Sequence, residues 1–288
     1  MQATADTLTG APDVDPFAAA SRENFPVVSH LIRRDLRPAV VAFYRFARAA
    51  DDVADDPHLV PARKLERLAG LQEGIEGRDG ESHAAALARA VADHPRRDEL
   101  LACASQLLCA FRQDAAGAAY PDWASLRAYC SMSAEPVGRF LLHLHLERDE
   151  THRSSDALCS ALQVLNHLQD LRSDRDLLGR VYLPDEWLRG AGADPSHLSE
   201  GTLSPAARQA VDLALDACDL LRLEARPLPG LLRSRGLRAQ AEATLFLARR
   251  LSDRLRRSDP LARRVRPGWS DFALAGALGT GRAVWRRP

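Results

Sequence analysis

The chain has 288 residues, of which 46% are hydrophobic, and it carries 39 basic and 39 acidic residues. This composition supports a substantial core and argues against wholesale disorder. The zero net charge gives no overall attraction to nucleic acid, and without an apolar run of 18 residues the sequence predicts no transmembrane helix.

Helical periodicity dominates the chain, and strand alternation is nearly absent. Residues 1–16 are polar and acidic and lack the basic and apolar regions of a signal peptide, so we expect a flexible N-terminal tail. We expect residues 17–288 to form a single all-α domain. A first helix is predicted from about residue 17 to 26, and a stronger one from Pro38 to Pro57. Further helices are predicted at about 62–77, 82–93, 97–115, 123–147 with a kink at Pro136 and Gly138, 153–176, 204–223, 235–257 and 269–284.

The helix that begins near Pro38 ends in an acidic stripe that contains Asp51, Asp52 and Asp55. Residues four apart share a helix face, so Asp51 and Asp55 are predicted to point the same way. Like charges at this spacing cost roughly 0.2–0.5 kcal/mol in an isolated helix. Desolvated carboxylates cost more unless a cation neutralises them. Tyr44 and Arg48 extend the same face toward the N-terminus.

A second polar stripe ends the helix predicted at 153–176. Gln163, Asn166, Asp170 and Asp174 lie on one face, and the last three are oxygen donors at four-residue steps. If the two stripes face each other, they form a carboxylate cage suited to Mg²⁺, which completes its shell with water and phosphate oxygens. A diphosphate is therefore the expected third component. The alternative is that each stripe is a solvated helix face.

The segment from Gly179 to Pro184 follows the second stripe and places Arg180 to reach a phosphate and Tyr182 to close the pocket. The alternative is a plain transition from helix to loop. No E-x-x-H pair is present, which argues against a ferritin-like di-iron bundle. The chain also lacks the G-x-x-x-x-G-K-[ST] and G-x-G-x-x-G motifs, so ATP and dinucleotide sites have no support.

In this order and spacing, the motifs resemble the squalene/phytoene synthase family of head-to-head prenyl synthases. The resemblance covers nearly the whole chain after residue 16. It implies the all-α isoprenoid synthase helical bundle, with a central cavity whose mouth carries both acidic stripes. The motifs are Asn24-Phe25-Pro26, Tyr44-x-x-x-Arg48-x-x-Asp51-Asp52-x-x-Asp55, Tyr129-Cys130 followed by Pro136-Val137-Gly138-Arg139, Gln163-x-x-Asn166-x-x-x-Asp170-x-x-x-Asp174, and Gly179-Arg180-Val181-Tyr182-Leu183-Pro184.

The resemblance also implies roles for individual residues. The residues that would hold Mg²⁺ and the diphosphate are Asp51, Asp52, Asp55, Asn166, Asp170 and Asp174. The residues that would contact the diphosphate or the ionising carbon are Tyr44, Arg48, Arg180 and Tyr182. The substrate-binding residues would be Phe25, Val137 and Gly138, which line the channel for the isoprenoid tails, together with Gln163, Gln169 and the diphosphate-binding Arg264.

Within the family, the sequence is most similar to the bacterial hopanoid-pathway branch that makes hydroxysqualene. Gln169 stands where many phytoene synthases carry Arg, and Glu135-Pro136 stands where they carry Gly-x. This similarity implies Mg²⁺-dependent conversion of presqualene diphosphate and water to hydroxysqualene and diphosphate.

Two alternative functions stay open. One is head-to-head condensation of two prenyl diphosphates to presqualene diphosphate, squalene or phytoene. The other is a non-catalytic helical partner protein that binds prenyl diphosphates or a sister synthase. The expected partner is a prenyl diphosphate and not a nucleic acid. The expected location is the cytoplasm, with contact at the periphery of the inner membrane or with sister hopanoid-pathway enzymes left open.

Overall fold

The computed structural model describes residues 31–78 and 82–285, with side chains described as far as residue 277. Within these residues the regular elements are helices, and no strand occurs. The expected N-terminal tail, the helix predicted at 17–26 and the predicted channel residue Phe25 lie outside the described residues.

The helices follow one another through short connections, and Pro lies in the first turn of several of them, where its missing N–H costs no hydrogen bond. In chain order they are α1 Arg37–Asp55, α2 Pro61–Ile75, α3 His83–Ala90, α4 Arg97–Ala115, α5 Trp123–Ser133, α6 Glu135–Leu144, α7 His152–Gln169, α8 Leu171–Leu178, α9 Asp185–Gly190, α10 Pro205–Ala225, α11 Leu228–Leu231, α12 Arg235–Arg257 and α13 Trp269–Trp285, with 3₁₀ turns at Asp149–Thr151 and Pro195–Ser199.

Two segments predicted as single helices are each two helices. The segment predicted at 123–147 breaks at Ala134, whose backbone leaves the helical region just before Pro136 in the first turn of α6. The segment predicted at 153–176 breaks at Asp170, which ends α7 and begins α8. The amide of Asp174 still donates to the Asp170 carbonyl at 2.8 Å, so the one-turn spacing of the two carboxylates survives the break.

Helix α7 lies at the centre of the bundle and packs against α5, α6, α10 and α12. One apolar cluster joins α7 to α5, α10 and α12. A second cluster joins α1–α4 to α6 and includes Phe43 stacked on Phe140, with ring centroids 4.0 Å apart. Because the second acidic stripe ends the central helix and the first ends α1, the packing of these two clusters decides how the stripes meet.

Gly138 marks a close approach between α6 and α7. A Cβ atom at this position would lie 2.6 Å from the Sγ of Cys159 and 2.6 Å from the Oγ of Ser155. Both distances are well inside van der Waals contact, so the missing side chain lets the two helices pack closely.

We expect Gly138→Ala to lower the free energy of unfolding by roughly 1–3 kcal/mol, because the methyl group forces these side chains or helices to move. Gly70→Ala in α2 is the control, because a Cβ there meets nothing within 4 Å. We expect it to leave stability unchanged or raise it by up to about 1 kcal/mol, through helix propensity. Denaturant unfolding measures both variants, and equal stabilities would contradict the close contact.

Candidate active site

Arg180 connects the two acidic stripes. Gly179 ends α8 in the left-handed region, at φ 66°, and turns the chain back so that the Arg180 amide donates to the Asp174 carbonyl at 3.0 Å. The guanidinium then reaches α1, where Nη1 donates to Oδ1 of Asp55 at 2.6 Å. Arg180 is 9% exposed, so it is an almost fully buried cation held between the two stripes.

The C-terminal end of α1 attracts two cations. Nη2 of Arg180 donates to the Ala54 carbonyl at 2.9 Å, and Nζ of Lys64 donates to the same oxygen at 2.7 Å. Carbonyl groups at a helix C-terminus have no partners within the helix and carry partial negative charge. The end of α1 therefore favours the positive side chains that meet the first stripe.

The first stripe forms the face that the sequence predicts. Arg48 pairs with Asp51 at 2.9 Å and with Asp52 at 2.8 Å, one turn along α1. Burial, followed by repulsion from Asp55, raises the pKa of Asp51 to about 7, and Arg48 opposes this rise. Since 38% of the Asp51 side chain stays exposed, solvent screens part of the effect. The carboxylates are thus crowded enough to favour an added cation.

The second stripe pairs with a residue far along the chain. Arg264 lies 2.5 Å from Asp170 between Nε and Oδ1, and its Nη2 donates to Oδ2 at 2.8 Å. Burial raises the pKa of Asp170, Arg264 opposes the rise, and repulsion from Asp174 adds to it. Asp174 lies 3.5 Å from His167, which in turn lies 3.1 Å from Gln163. The structure therefore brings the predicted Gln163, Asp170, Asp174 and Arg264 to one end of α7.

A buried polar cluster under the stripes includes residues that the sequence did not single out. Asp114, at the end of α4, accepts hydrogen bonds from Tyr129 at 2.8 Å and from the predicted Tyr182 at 2.9 Å. The Tyr182 ring stacks on His167, with centroids 3.6 Å apart. Burial raises the pKa of Asp114, which the two tyrosine hydrogen bonds and the charge of Arg180 oppose. Two features of the sequence are signals of this cluster. They are an isolated Asp at the end of an apolar helix and the motif that contains Tyr129.

The other predicted residues lie elsewhere on the same helices. Tyr44 and Val137 are partly buried against the α1–α4 core, and Asn166 is half-buried on α7. Gln169 is buried and donates to the Val265 carbonyl, so this side chain fastens the 258–268 segment to the bundle. Their roles in binding substrate, like that of Gly138, stay predictions.

The donor set of the stripes fits Mg²⁺. Every predicted ligand is a carboxylate or amide oxygen, as a hard cation requires. Burial, with repulsion from a neighbouring carboxylate as a further cause, raises the pKa of Asp51 and of Asp170, and an added cation would oppose both effects. Within the described residues, no three of these carboxylates place oxygens within 4.8 Å of one another. Arg48, Arg180 and Arg264 hold them apart as neutralised pairs.

Comparison with known proteins decides the family. The squalene/phytoene synthase sequence profile matches residues 18–272. The chain belongs to the squalene/phytoene synthase family. It is 38% identical to a hydroxysqualene synthase of Rhodopseudomonas palustris, over 93% of this chain and 91% of that protein. A hydroxysqualene synthase of Zymomonas mobilis is also 38% identical, over 84% of this chain and 82% of that protein.

A solved structure supports the same assignment. The crystal structure of squalene synthase HpnC from Alicyclobacillus acidocaldarius matches with a TM-score of 0.71 and 30% identity, over 84% of this chain and 93% of that one. The predicted all-α isoprenoid synthase fold is therefore confirmed, and the chain is an enzyme of this prenyltransferase-like family. Across the described part of this family member, no helix has the length and apolar character needed to cross a membrane.

We expect Asp51→Asn to stabilise the Mg²⁺-free protein at about pH 8 and to stabilise it less at about pH 5. The native pKa of Asp51, about 7, lies above its unfolded value, so stability from its protonated form is present at low pH and lost as pH rises through 7. After allowance for solvent screening, the gain should not exceed roughly 1 kcal/mol.

Asp52→Asn is the matched control, because Asp52 also pairs with Arg48 and is half-exposed. It should stabilise the protein at about pH 8 less than Asp51→Asn does, because Asp52 adds only a minor part of the repulsion on Asp51. Thermal unfolding at both pH values measures the difference, and an Asp51→Asn protein less stable than wild type at both would contradict the crowding of these carboxylates.

Proposed function

We propose that the enzyme converts presqualene diphosphate and water to hydroxysqualene and diphosphate, with Mg²⁺ as cofactor. The observation that carries the proposal is the meeting of both acidic stripes around Arg180, above the Asp114 cluster. Negative and positive groups at one mouth suit a leaving diphosphate, and buried aromatic rings beneath suit a carbocation. The hydroxysqualene synthases among the relatives support the choice of substrate and product.

The first step breaks the bond between carbon and diphosphate oxygen, which leaves a cyclopropylcarbinyl cation. Arg48 and Arg180 pair with carboxylates of the first stripe and are placed to neutralise the negative charge that develops on the diphosphate. The residues that would hold Mg²⁺ are Asp51, Asp55, Asn166, Asp170 and Asp174. When bound, Mg²⁺ would supply further positive charge to the leaving group.

The second step is rearrangement of the cation and capture by one water molecule. The rings of Tyr129, Tyr182 and His167 pack on one another beside Asp114. Aromatic faces attract cations, and their packing excludes bulk water that would trap the cation before it rearranges. The oxygen of the water molecule bonds to a carbon of the rearranged cation, and the water loses one proton. Overall, the diphosphate ester and water give an alcohol and diphosphate.

Incubation with presqualene diphosphate and Mg²⁺, followed by mass spectrometry, tests the reaction. We expect hydroxysqualene as the product, and no product from Asp170→Asn, whose fold should stay intact because the substitution removes a crowded charge. Parallel incubations with farnesyl and geranylgeranyl diphosphate test the condensation alternative. Coupling of these substrates without use of presqualene diphosphate would contradict the proposal, and binding without turnover would favour the non-catalytic partner protein.

The arginine pairs lead us to propose that Mg²⁺ and diphosphate bind cooperatively. Asp170 would release Arg264 in order to hold Mg²⁺, and the freed guanidinium would then gain the diphosphate as its new partner. Each ligand therefore offsets the cost of binding the other.

We expect Mg²⁺ with diphosphate to raise the melting temperature by more than the sum of the separate effects. A ligand that binds only the native state, at about a hundredfold excess over its Kd, raises the free energy of unfolding by roughly 2.7 kcal/mol. The Arg264→Gln variant should bind Mg²⁺ alone more tightly than wild type and lose most of the cooperativity. The control is Arg263→Gln, which removes the same charge at an exposed neighbouring position and should behave as wild type. Equal shifts with Mg²⁺ and Ca²⁺, and none from diphosphate, would contradict the model.

We also propose that the enzyme works in the cytoplasm, in contact with the periphery of the inner membrane or with sister hopanoid-pathway enzymes. On α13, Trp269 is 86% exposed and Leu274 is 54% exposed, so apolar surface is available for such contact. Co-sedimentation with lipid vesicles tests this, and equal binding by wild type and Trp269→Ala would exclude this surface.

A further inference from the structure

A histidine–aspartate cluster lies at the turn between α6 and α7. His143 belongs to the last turn of α6, Asp149 to the 3₁₀ turn and His152 to the start of α7. One ligand atom from each lies within 4.8 Å of the others. His152 precedes Asn166 by 14 residues on α7, about 21 Å of helix rise, so the cluster is separate from the acidic stripes.

Two of the three residues in the cluster, His143 and Asp149, already contact a positively charged side chain, that of Arg96. Nη1 of Arg96 lies 2.9 Å from Nδ1 of His143 and 2.9 Å from Oδ1 of Asp149. Nε2 of His152 lies 3.6 Å from the same Asp149 oxygen. This nitrogen is buried and has no hydrogen-bond partner, which leaves a costly unsatisfied group beside the converging donors.

The chemistry of these donors selects the metal. A guanidinium only donates hydrogen bonds, so Nδ1 of His143, 2.9 Å from Nη1 of Arg96, accepts and carries a lone pair. Nε2 of His152 has no hydrogen-bond partner and is available as a second nitrogen ligand. Two imidazole nitrogens and one carboxylate oxygen, with a fourth position left to water, suit Zn²⁺ and do not suit Mg²⁺. Asp149 is 74% exposed and Arg96 is 27% exposed, so an ion can enter and the guanidinium can move into solvent.

We propose that His143, Asp149 and His152 form a Zn²⁺ site in which the ion replaces the Arg96 guanidinium and ties α6 to α7. The turn between these helices contains Leu146 at φ 55°, in the left-handed region that a leucine rarely adopts. A metal that joins both ends of this turn stabilises the strained connection. Arg96 is a competing internal cation, and this sets the site apart from an ordinary surface ion pair.

Titration calorimetry of the metal-free full chain with Zn²⁺, in the presence of excess Mg²⁺, tests the proposal. We expect wild type to bind one Zn²⁺ per chain. Arg96→Gln should bind it at least about tenfold more tightly, equivalent to roughly 1.4 kcal/mol, because the competing cation is gone. Co²⁺ used as a spectroscopic probe should show visible absorption typical of a site with imidazole ligands.

His152→Ala should lose the Zn²⁺ heat and the Co²⁺ absorption, and Asp149→Asn, at a mostly exposed position that does not threaten folding, should weaken both. His83→Ala, at an exposed position in α3, is the matched control and should bind as wild type. Zn²⁺ binding that is unchanged in His152→Ala, abolished in Arg96→Gln or displaced by Mg²⁺ would overturn the proposal.

Discussion

The buried contact between Arg180 and Asp55 is the constraint on which the active site depends. It joins the end of α1 to the chain just after α8, positions 125 residues apart, and the Arg180 amide fixes the same residue to Asp174. A nearly buried guanidinium is stable only when paired, so this geometry is required and not incidental. Without it, carboxylates from two helices would face one another with no charge between them.

The carboxylates at the start of each stripe are neutralised in the same way, by pairing with an arginine. Arg48 neutralises the start of the first stripe, and Arg264 neutralises the start of the second. The arginines proposed to bind the diphosphate are thus paired with the carboxylates proposed to bind metal. Under the proposed function, binding of Mg²⁺ and substrate would exchange one set of ion pairs for another. The Asp114 cluster beside the stripes is a contrasting environment of buried aromatic rings packed on one another.

The sequence predicted the parts of this site that depend on local spacing. The stripe faces, the position of Arg180 after the second stripe and the family fold all follow from motifs read along the chain. The predicted kink at Pro136 lies two residues after the observed break at Ala134. The break at Asp170 was not predicted, because apolar periodicity continues through it. Asp114 and the Gln169 contact to Val265 were also out of reach, since their partners are brought together only by tertiary packing.

A double-mutant cycle between Asp55 and Arg180 tests the central claim most directly. Asp55→Asn, Arg180→Gln and the double variant are unfolded by denaturant in the absence of Mg²⁺, and the coupling free energy is taken from the four stabilities. If this pair holds the stripes together, the single substitutions are strongly non-additive, with a coupling of about 1–3 kcal/mol. Additivity to within roughly 0.5 kcal/mol would contradict the account, because residues that act independently behave that way.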